Sequence, residues 1–386
     1  MDNCEAKHTE ETSSIMRSYI NIITHEFPPY RGGAGIYCYE LALAVSNLGG
    51  KVKIWAPNGS EEKDAIEIQK LSWKGSHGLI ASWKLVKKIQ NSLKESSCKD
   101  VFHLAELGSS RAFLRFGWRI KKKLRLFLTI HGSELIRFTG NPIEKWLFKK
   151  LILKCEVIHV LSQHNRRKLL EFCPTVENKI RLIPGAPGSH VISTSPLLKD
   201  SAIKNKIQIL CVGRIHPRKG QDQILLALNT LTFEEQKNLV VRFAGPKTKT
   251  KFFGNLLQIS KKFAGEIIFH GDCTDNEVRE LYNSSDVFAL TSMPKAKSVE
   301  GFGFVYLEAS SYGLPIIANR TGGVEDAVID GKTGLLAEPG DIKGLSIILR
   351  KLVINDKVRE RIGKEGKRWA KNFTWDKVAR GLYNLD

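Results

Sequence analysis

Short apolar runs rich in β-branched residues alternate along this chain with longer stretches whose apolar positions recur every three or four residues. The first run is SYINIIT; the glycine-bearing loop HEFPPYRGGAG and the periodic segment IYCYELALAVSNLGG follow. Strand, glycine loop and helix open a nucleotide-binding α/β unit. KVKIWAP, VFHLAE, RLFLTIHG, VIHVLS and IRLIPG continue as short buried strands between helical stretches. Runs this apolar, with little alternation, predict a parallel sheet covered by helices.

From Pro184 to Lys206 the composition shifts to Pro, Gly, Ser and Lys, which marks a linker. The pattern then restarts with IQILCVGR, LVVRFAGP, EIIFHGD, SDVFALTS, PIIANR and GLLAEPG, each joined to the next by helical or loop sequence. Two α/β domains in tandem are therefore predicted. The expected boundaries are a polar tail at 1–18, an N-terminal Rossmann-like domain at 19–190, a linker at 191–206 and a C-terminal Rossmann-like domain at 207–365. A last helical piece spans 366–386, where WDKVARGLYNLD spaces Trp375, Val378, Ala379 and Leu382 to cover an apolar surface.

The 386 residues suit two ordinary domains, and 42% hydrophobic content is enough for real cores. Neither a signal-peptide core nor an apolar run of membrane-spanning length is present, so any membrane contact is expected to be peripheral. Seven scattered cysteines without a CxxC pair indicate neither a zinc site nor a disulfide framework, and a reducing, cytoplasmic setting is expected.

The formal charge of +20 is uneven. Between Arg111 and Lys154 twelve Lys or Arg face only Glu134 and Glu144, so 12 − 2 = +10, half the excess. RAFLRFGWRIKKKLR interleaves these cations with Phe113, Leu114, Phe116, Trp118 and Ile120 and predicts a basic amphipathic helix; EKWLFKKLILKC predicts a second. Such helices lie on anionic membranes or attract nucleic acid, although a packed helix with a solvated basic face has the same pattern. No nucleic-acid motif accompanies them, and none is expected as a partner.

Candidate chemistry gathers at loops. In VGRIHPRKGQDQILLAL a strand ends at Arg214, a loop carries Arg218 and Lys219, and a helix starts near Gln221. Cations at the carboxyl end of a parallel strand, beside a helix N-terminus, suit a ligand with several phosphate charges. Gly32 and Gly33 of RGGAG let backbone amides approach an anion at the matching place in the other domain.

In VEGFGFVYLEAS a helix starting around Phe302 to Phe304 turns its free amides towards a phosphate, with Glu300 before it and Glu308 inside it. Eight helical steps set the two acids about 12 Å apart, the scale of a nucleotide sugar. A carboxylate accepts from paired hydroxyls but repels a diphosphate, so two acids flanking the anion site read sugar at one end and ribose at the other. His131 in LTIHGSE ends a buried strand and is open to both a structural and a functional reading.

At these residues the chain resembles the family 4 retaining glycosyltransferases of GT-B fold, two doubly wound Rossmann-like domains facing a cleft, and is most like the lipid and phosphatidylinositol mannosyltransferases. EFPPYRGGAG, TIHGSE, VGRIHPRKG, SVEGFGFVYLEASSYGLPIIA and TGGVEDAVIDGKTGLL carry the resemblance over nearly the whole chain, in the family's order. It implies that His131 and Glu300 meet the donor hexose, that Arg214 and Lys219 grip the diphosphate, and that Gly33 faces the same phosphates. Gly303, Phe304 and Val305 would offer amides to the donor, Glu308 would hold the ribose, and Cys273 falls where main chain meets the base. The implied reaction is retaining hexosyl transfer from GDP-mannose or a UDP-hexose to a glycan or lipid-linked acceptor at the inner membrane face, with the final helix crossing back to the first domain.

No DxD triplet occurs, so no metal and no other cofactor is expected. A nucleotide-sugar epimerase of the same fold is the first alternative, with His131 and Glu300 as its acid and base, and a nucleic-acid-binding or nucleic-acid-modifying protein ranks behind it.

Overall fold

Every apolar run singled out above is a strand. The computed structural model describes residues 18–29, 32–60, 66–71, 78–94, 96–191, 206–296 and 298–385. The chain divides into two units, Met1–Gly185 with Thr374–Asp386, and Ala186–Phe373. The expected tail and most of the expected linker lie outside the described residues, while residues 186–191 group with the second unit.

In the first unit the strands are β1 (Tyr19–Ile23), β2 (Lys51–Pro57), β3 (Glu67–Leu71), β4 (Val101–Leu104), β5 (Arg125–Ile130), β6 (Val157–Val160) and β7 (Ile180–Leu182). They form one parallel sheet in the order β3-β2-β1-β4-β5-β6-β7. Between them run α1 (Gly33–Asn47), α2 (Leu79–Ser92), α3 (Leu107–Phe116), α4 (Ser133–Thr139), α5 (Pro142–Lys154) and α6 (Gln163–Phe172). Strands β4 and β6 are buried at every residue because helices cover the sheet. Leu128, Phe138 and Phe148 have no exposed surface, and each such side chain contributes about 2 kcal/mol by leaving water.

Strand β3 escapes the apolar-run reading. Its EIQKL is mostly polar because it is an edge strand, tied to β2 by a 2.8 Å ion pair between Lys53 and Glu67.

The second unit repeats the plan with β8 (Ile207–Val212), β9 (Leu239–Ala244), β10 (Glu266–Gly271), β11 (Val287–Leu290), β12 (Ile316–Asn319) and β13 (Gly334–Ala337). Their parallel order is β10-β9-β8-β11-β12-β13. The helices are α7 (Gln221–Leu228), α8 (Phe233–Lys237), α9 (Thr250–Ser260), α10 (Asp275–Ser284), α11 (Phe304–Ser311), α12 (Val324–Ala327), α13 (Ile342–Ile354) and α14 (Asp356–Ala370). In each sheet the strand order reverses once, between β1 and β4 and between β8 and β11. Loops leaving those strand pairs diverge and open a crevice for ligand.

Two helix expectations change. The basic stretch from Arg111 is not one amphipathic helix: α3 stops at Phe116, a 3-10 turn covers Gly117–Arg119, and β5 begins at Arg125. Gly117 caps the helix, and the apolar run RLFLTI pairs into the sheet. The final helix, α15 (Trp375–Tyr383), begins nine residues after 366, because residues 366–370 complete α14.

Helix α15 packs within the first unit. Trp375 meets the Tyr37 ring at 5.7 Å, the Tyr383 hydroxyl lies 2.6 Å from His103 Nδ1, and Arg181 donates to the carbonyls of Gly381 and Leu382.

Candidate functional site

The crevice between β8 and β11 is built by one loop from each strand. After β8, His216 Nδ1 accepts from the Arg218 amide at 3.0 Å and starts the short 3-10 turn Pro217–Lys219. Gly220 follows at φ +67°, and a Cβ there would lie 1.9 Å from the Thr291 carbonyl oxygen. Only glycine fits so close an approach. The Thr291 hydroxyl donates to the Gly220 carbonyl at 2.7 Å, and the Met293 amide donates to the Arg218 carbonyl at 2.8 Å. The sequence PRKG therefore pins two cations against the loop that follows β11.

That loop supplies their partner. Glu300 Oε2 accepts from Lys219 Nζ at 2.8 Å, from Arg218 Nη1 at 2.9 Å and from the Ser292 hydroxyl at 2.8 Å. Burial raises the Glu300 pKa, but Lys219 and Arg218 outweigh it, and the carboxyl is lowered to about 2. Burial also pushes the Lys219 ammonium down, against the pull of Glu300. Two cations against one acid leave the cluster one positive charge in excess.

Beside it, α11 starts at Phe304 without a side-chain cap and without an acid in its first turn. Its N-cap Gly303 has φ +90°, where a Cβ would sit 2.5 Å from the Tyr306 ring. Positive dipole and cations thus share one crevice.

The arrangement departs from the expectation in two ways. Glu300 lies on the cations instead of standing clear of them. The partner of Lys219 is Arg218, whereas the Arg214 side chain is exposed. Glu308 lies inside α11 as expected, buried, with Tyr282 donating to its Oε2 at 3.0 Å and Gly188 close to its Oε1. Val305 follows Phe304 in the first turn of α11, and both are half-buried. Cys273 is buried after β10, its thiol 3.7 Å from the Gly271 carbonyl.

Ser292 and Tyr282 carried no signal in the sequence beyond their places, one just past β11 and one on the helix before it. Arg218 did carry a signal, since it stands beside Lys219 in a turn fixed by proline and glycine.

The matching crevice of the first unit, between β1 and β4, has other chemistry. His25 Nδ1 lies 2.9 Å from Glu106 Oε1, and Glu106 also accepts from the amides of Gly108 and Ser109 at 2.6 and 2.7 Å, capping α3. Burial raises the Glu106 pKa, but His25 and those amides bring it to about 2. Gly33, the first residue of α1, is exposed with open space where a Cβ would be; at Gly32 a Cβ would meet Glu26 Oε2 at 2.2 Å. Glu26 brings an anion to the place where Gly33 was expected to meet phosphate. Arg31 of the same motif lies outside the described residues.

His131 directly follows the end of β5, as expected. Its Nε2 is 2.9 Å from the Ala105 carbonyl, so that nitrogen carries the proton and donates, and its ring is edge-on to Tyr37 at 4.9 Å. The carboxyl of Glu134, buried one turn on, is raised by burial. Behind His131 a sealed polar network joins Tyr37, His103, Thr129, His159 and Tyr383. His159 Nε2 donates to the Ile183 carbonyl at 2.8 Å, and burial lowers its pKa to about 4; His103 is pushed well down for the same reason. An epimerase acid and base do not emerge from His131 and Glu300, because Glu300 is held ionised by two cations.

Residues 196–369 match the family model of glycosyl transferases group 1, and residues 31–186 match that of Glycosyltransferase Family 4. The chain is 25% identical over 377 residues to a GDP-mannose-dependent alpha-(1-6)-phosphatidylinositol monomannoside mannosyltransferase of Mycolicibacterium smegmatis, covering 92% of this chain and 94% of the relative. The protein of the same name from Mycobacterium tuberculosis is 23% identical over 393 residues, covering 95% and 97%. Among solved structures, sucrose-phosphate synthase from Thermosynechococcus elongatus superposes with a TM-score of 0.77 at 18% identity, over 96% of this chain and 98% of that one. The fold is GT-B.

Proposed function

Because the chain belongs to the group 1 and family 4 glycosyltransferases, with family models matched from residue 31 to 186 and from 196 to 369, we propose that it moves mannose from GDP-mannose to a lipid-linked acceptor at the membrane surface. The observation that carries this reading is the Arg218, Lys219, Ser292 and Glu300 cluster where the strand order reverses. The choice of GDP-mannose over a UDP-hexose, and of a lipid over a free glycan, follows the relatives that cover more than nine-tenths of the chain.

In this reading the donor diphosphate lies on Lys219 and Arg218, with the amides of Gly303, Phe304 and Val305 at the start of α11 and Arg214 as an outer cation. As the bond between the anomeric carbon and the phosphate oxygen breaks, its electron pair goes to the diphosphate. The charge grows where fixed cations already stand, which favours the transition state over the ground state. Lys219 and Arg218 thereby take the part a metal ion plays elsewhere, and the reaction proceeds without one.

Glu300 keeps both cations oriented through Oε2, leaving Oε1 to accept a hexose hydroxyl. Glu308 holds the ribose, steadied by Tyr282, and Cys273 lies near the base. The acceptor oxygen bonds to the anomeric carbon on the face the diphosphate leaves, and its proton passes to the departing phosphate oxygen. Configuration is retained.

A peripheral place at the inner, cytoplasmic membrane face completes the reading. Exposed Trp118, Trp146 and Ile143 in the basic stretch 111–154 support it, and no described helix is long and apolar enough to cross a membrane. Incubation with GDP-mannose or UDP-hexoses, with and without a phosphatidylinositol-type lipid, tests the proposal by GDP release and product mass. The expected result is GDP release that requires the lipid and adds one hexose to it. Release without acceptor, or conversion of the donor sugar alone, would overturn it.

A further inference from the structure

The basic stretch also encloses a cavity. It lies at the edge of the seven-stranded sheet where β5 starts, among the ends of α3 and α5 and the loop IKKKL at 120–124, and has a volume of about 450 Å³. That is within the range of sites for small ligands, about 300–1,000 Å³. Phe113, Leu114, Ile120, Leu124 and Leu147 line its interior.

Its rim is cationic: Lys121, Lys122, Lys123, Lys150 and Lys154 surround it, and among the described residues no acid lines it. Lys122 is committed to the fold, donating to the carbonyls of Leu93 and Ser96 at 3.0 Å each. Four lysines remain. Beside them Trp118 is 66% exposed and Trp146 56%, with Lys150 3.6 Å above the Trp146 ring. Among the described residues the exposed tryptophans Trp83, Trp118 and Trp146 all belong to the first unit.

An apolar interior under a ring of ammonium groups complements an anionic amphiphile, and indole rings at the rim suit the boundary between water and acyl chains. The cavity is also far from the chemistry. It sits at the starting end of β5, whereas His131 follows the other end of that six-residue strand, about 20 Å away.

We propose that this cavity takes one acyl chain of an anionic bilayer lipid, with the head group on Lys121, Lys123, Lys150 and Lys154, as an anchor separate from the reacting acceptor. It deepens the membrane part of the proposed function and rests on that part alone.

Tryptophan fluorescence of the full chain tests it, with lysophosphatidylglycerol below its micellar concentration as probe and lysophosphatidylcholine and inorganic phosphate as controls. Saturable binding is expected, about tenfold tighter than for lysophosphatidylcholine, with no response to phosphate. Leu147→Trp, which fills the cavity, and separately the paired change Lys123→Glu with Lys150→Glu should each weaken binding about tenfold while leaving GDP binding and melting temperature unchanged. If Leu147→Trp lowers the melting temperature, the paired lysine variant alone decides.

Equal response to phosphate would mean an ion site only, and undiminished binding by a folded Leu147→Trp would mean surface adsorption only. Displacement by duplex RNA would make the patch a nucleic-acid surface. Each of these overturns the proposal, and none bears on donor chemistry. Failure to transfer mannose, in turn, would leave the lysophosphatidylglycerol result standing.

Discussion

The two sheets reverse strand order in the same way, yet their crevices carry opposite chemistry. Between β8 and β11 stand Lys219 and Arg218 with one acid between them, beside the uncapped start of α11. Between β1 and β4 stand His25 and Glu106, with Glu26 at the start of α1 and a sealed histidine network behind. Topology provides a crevice in both, but among the described residues only the second unit fills it with cations on a tight turn. The fold offers two places for a ligand, and the proposed function assigns the diphosphate to the one with the cations.

The sharpest way to break this contrast is to remove its central cation. Lys219→Ala is expected to lower kcat about 10²- to 10³-fold, the usual cost of losing one donor aimed at developing charge. A His25→Ala change in the other crevice should leave GDP affinity unchanged. Steady-state transfer assays and GDP titration of the two variants check the pair.

Acid separates the units next. His159 has a folded pKa of about 4 against an ordinary 6.5, so its contribution is full above 6.5 and lost as pH falls towards 4. Glu300, lowered from 4.5 to about 2, contributes fully above 4.5 and loses it only as pH falls towards 2. Between pH 6.5 and 5 the first unit should therefore lose on the order of 2 kcal/mol while the Glu300 cluster loses little. Hydrogen exchange resolved by unit, at pH 7 and pH 5, reads this directly; equal loss in both units would sink it.

Gly303→Ala puts a Cβ against the Tyr306 ring at φ +90° and should cost about 1–3 kcal/mol in the second unit, seen as a lower melting temperature. Tyr282→Phe removes the hydrogen bond to buried Glu308 and should weaken donor binding by about 1 kcal/mol, several-fold in Kd. The smallest effect belongs to Arg214→Ala. Its exposed side chain stands in high dielectric, so GDP affinity should fall by less than about 1 kcal/mol with no change in melting temperature.

Among the described residues twelve of the thirteen strands were legible because they read as largely apolar runs rich in β-branched residues. Strand β3 was not, since an edge carries polar residues to discourage further pairing. The basic stretch misled for a related reason. Helical spacing and the onset of β5 overlap at IKKKLRLFLTI, and pairing with β4 and β6 decides the conformation.

In the site, the loop cations and the helix start were readable from glycine, proline and charge. The pairing was not. That Glu300 folds back onto Lys219, 81 residues earlier, and onto Arg218 depends on how two loops are pressed together at Gly220 and Thr291, which no local spacing records. Ser292 was invisible for the same reason, having a role only once β11 lies beside β8.

The most direct measurement is calorimetric titration of GDP into the full chain and into the variant carrying Arg218→Met and Lys219→Met, with Glu300→Gln as counterpart. The account expects binding to the unaltered protein that the double change weakens at least about 100-fold and that Glu300→Gln leaves as tight or tighter. GDP binding equally well to the double variant would contradict it.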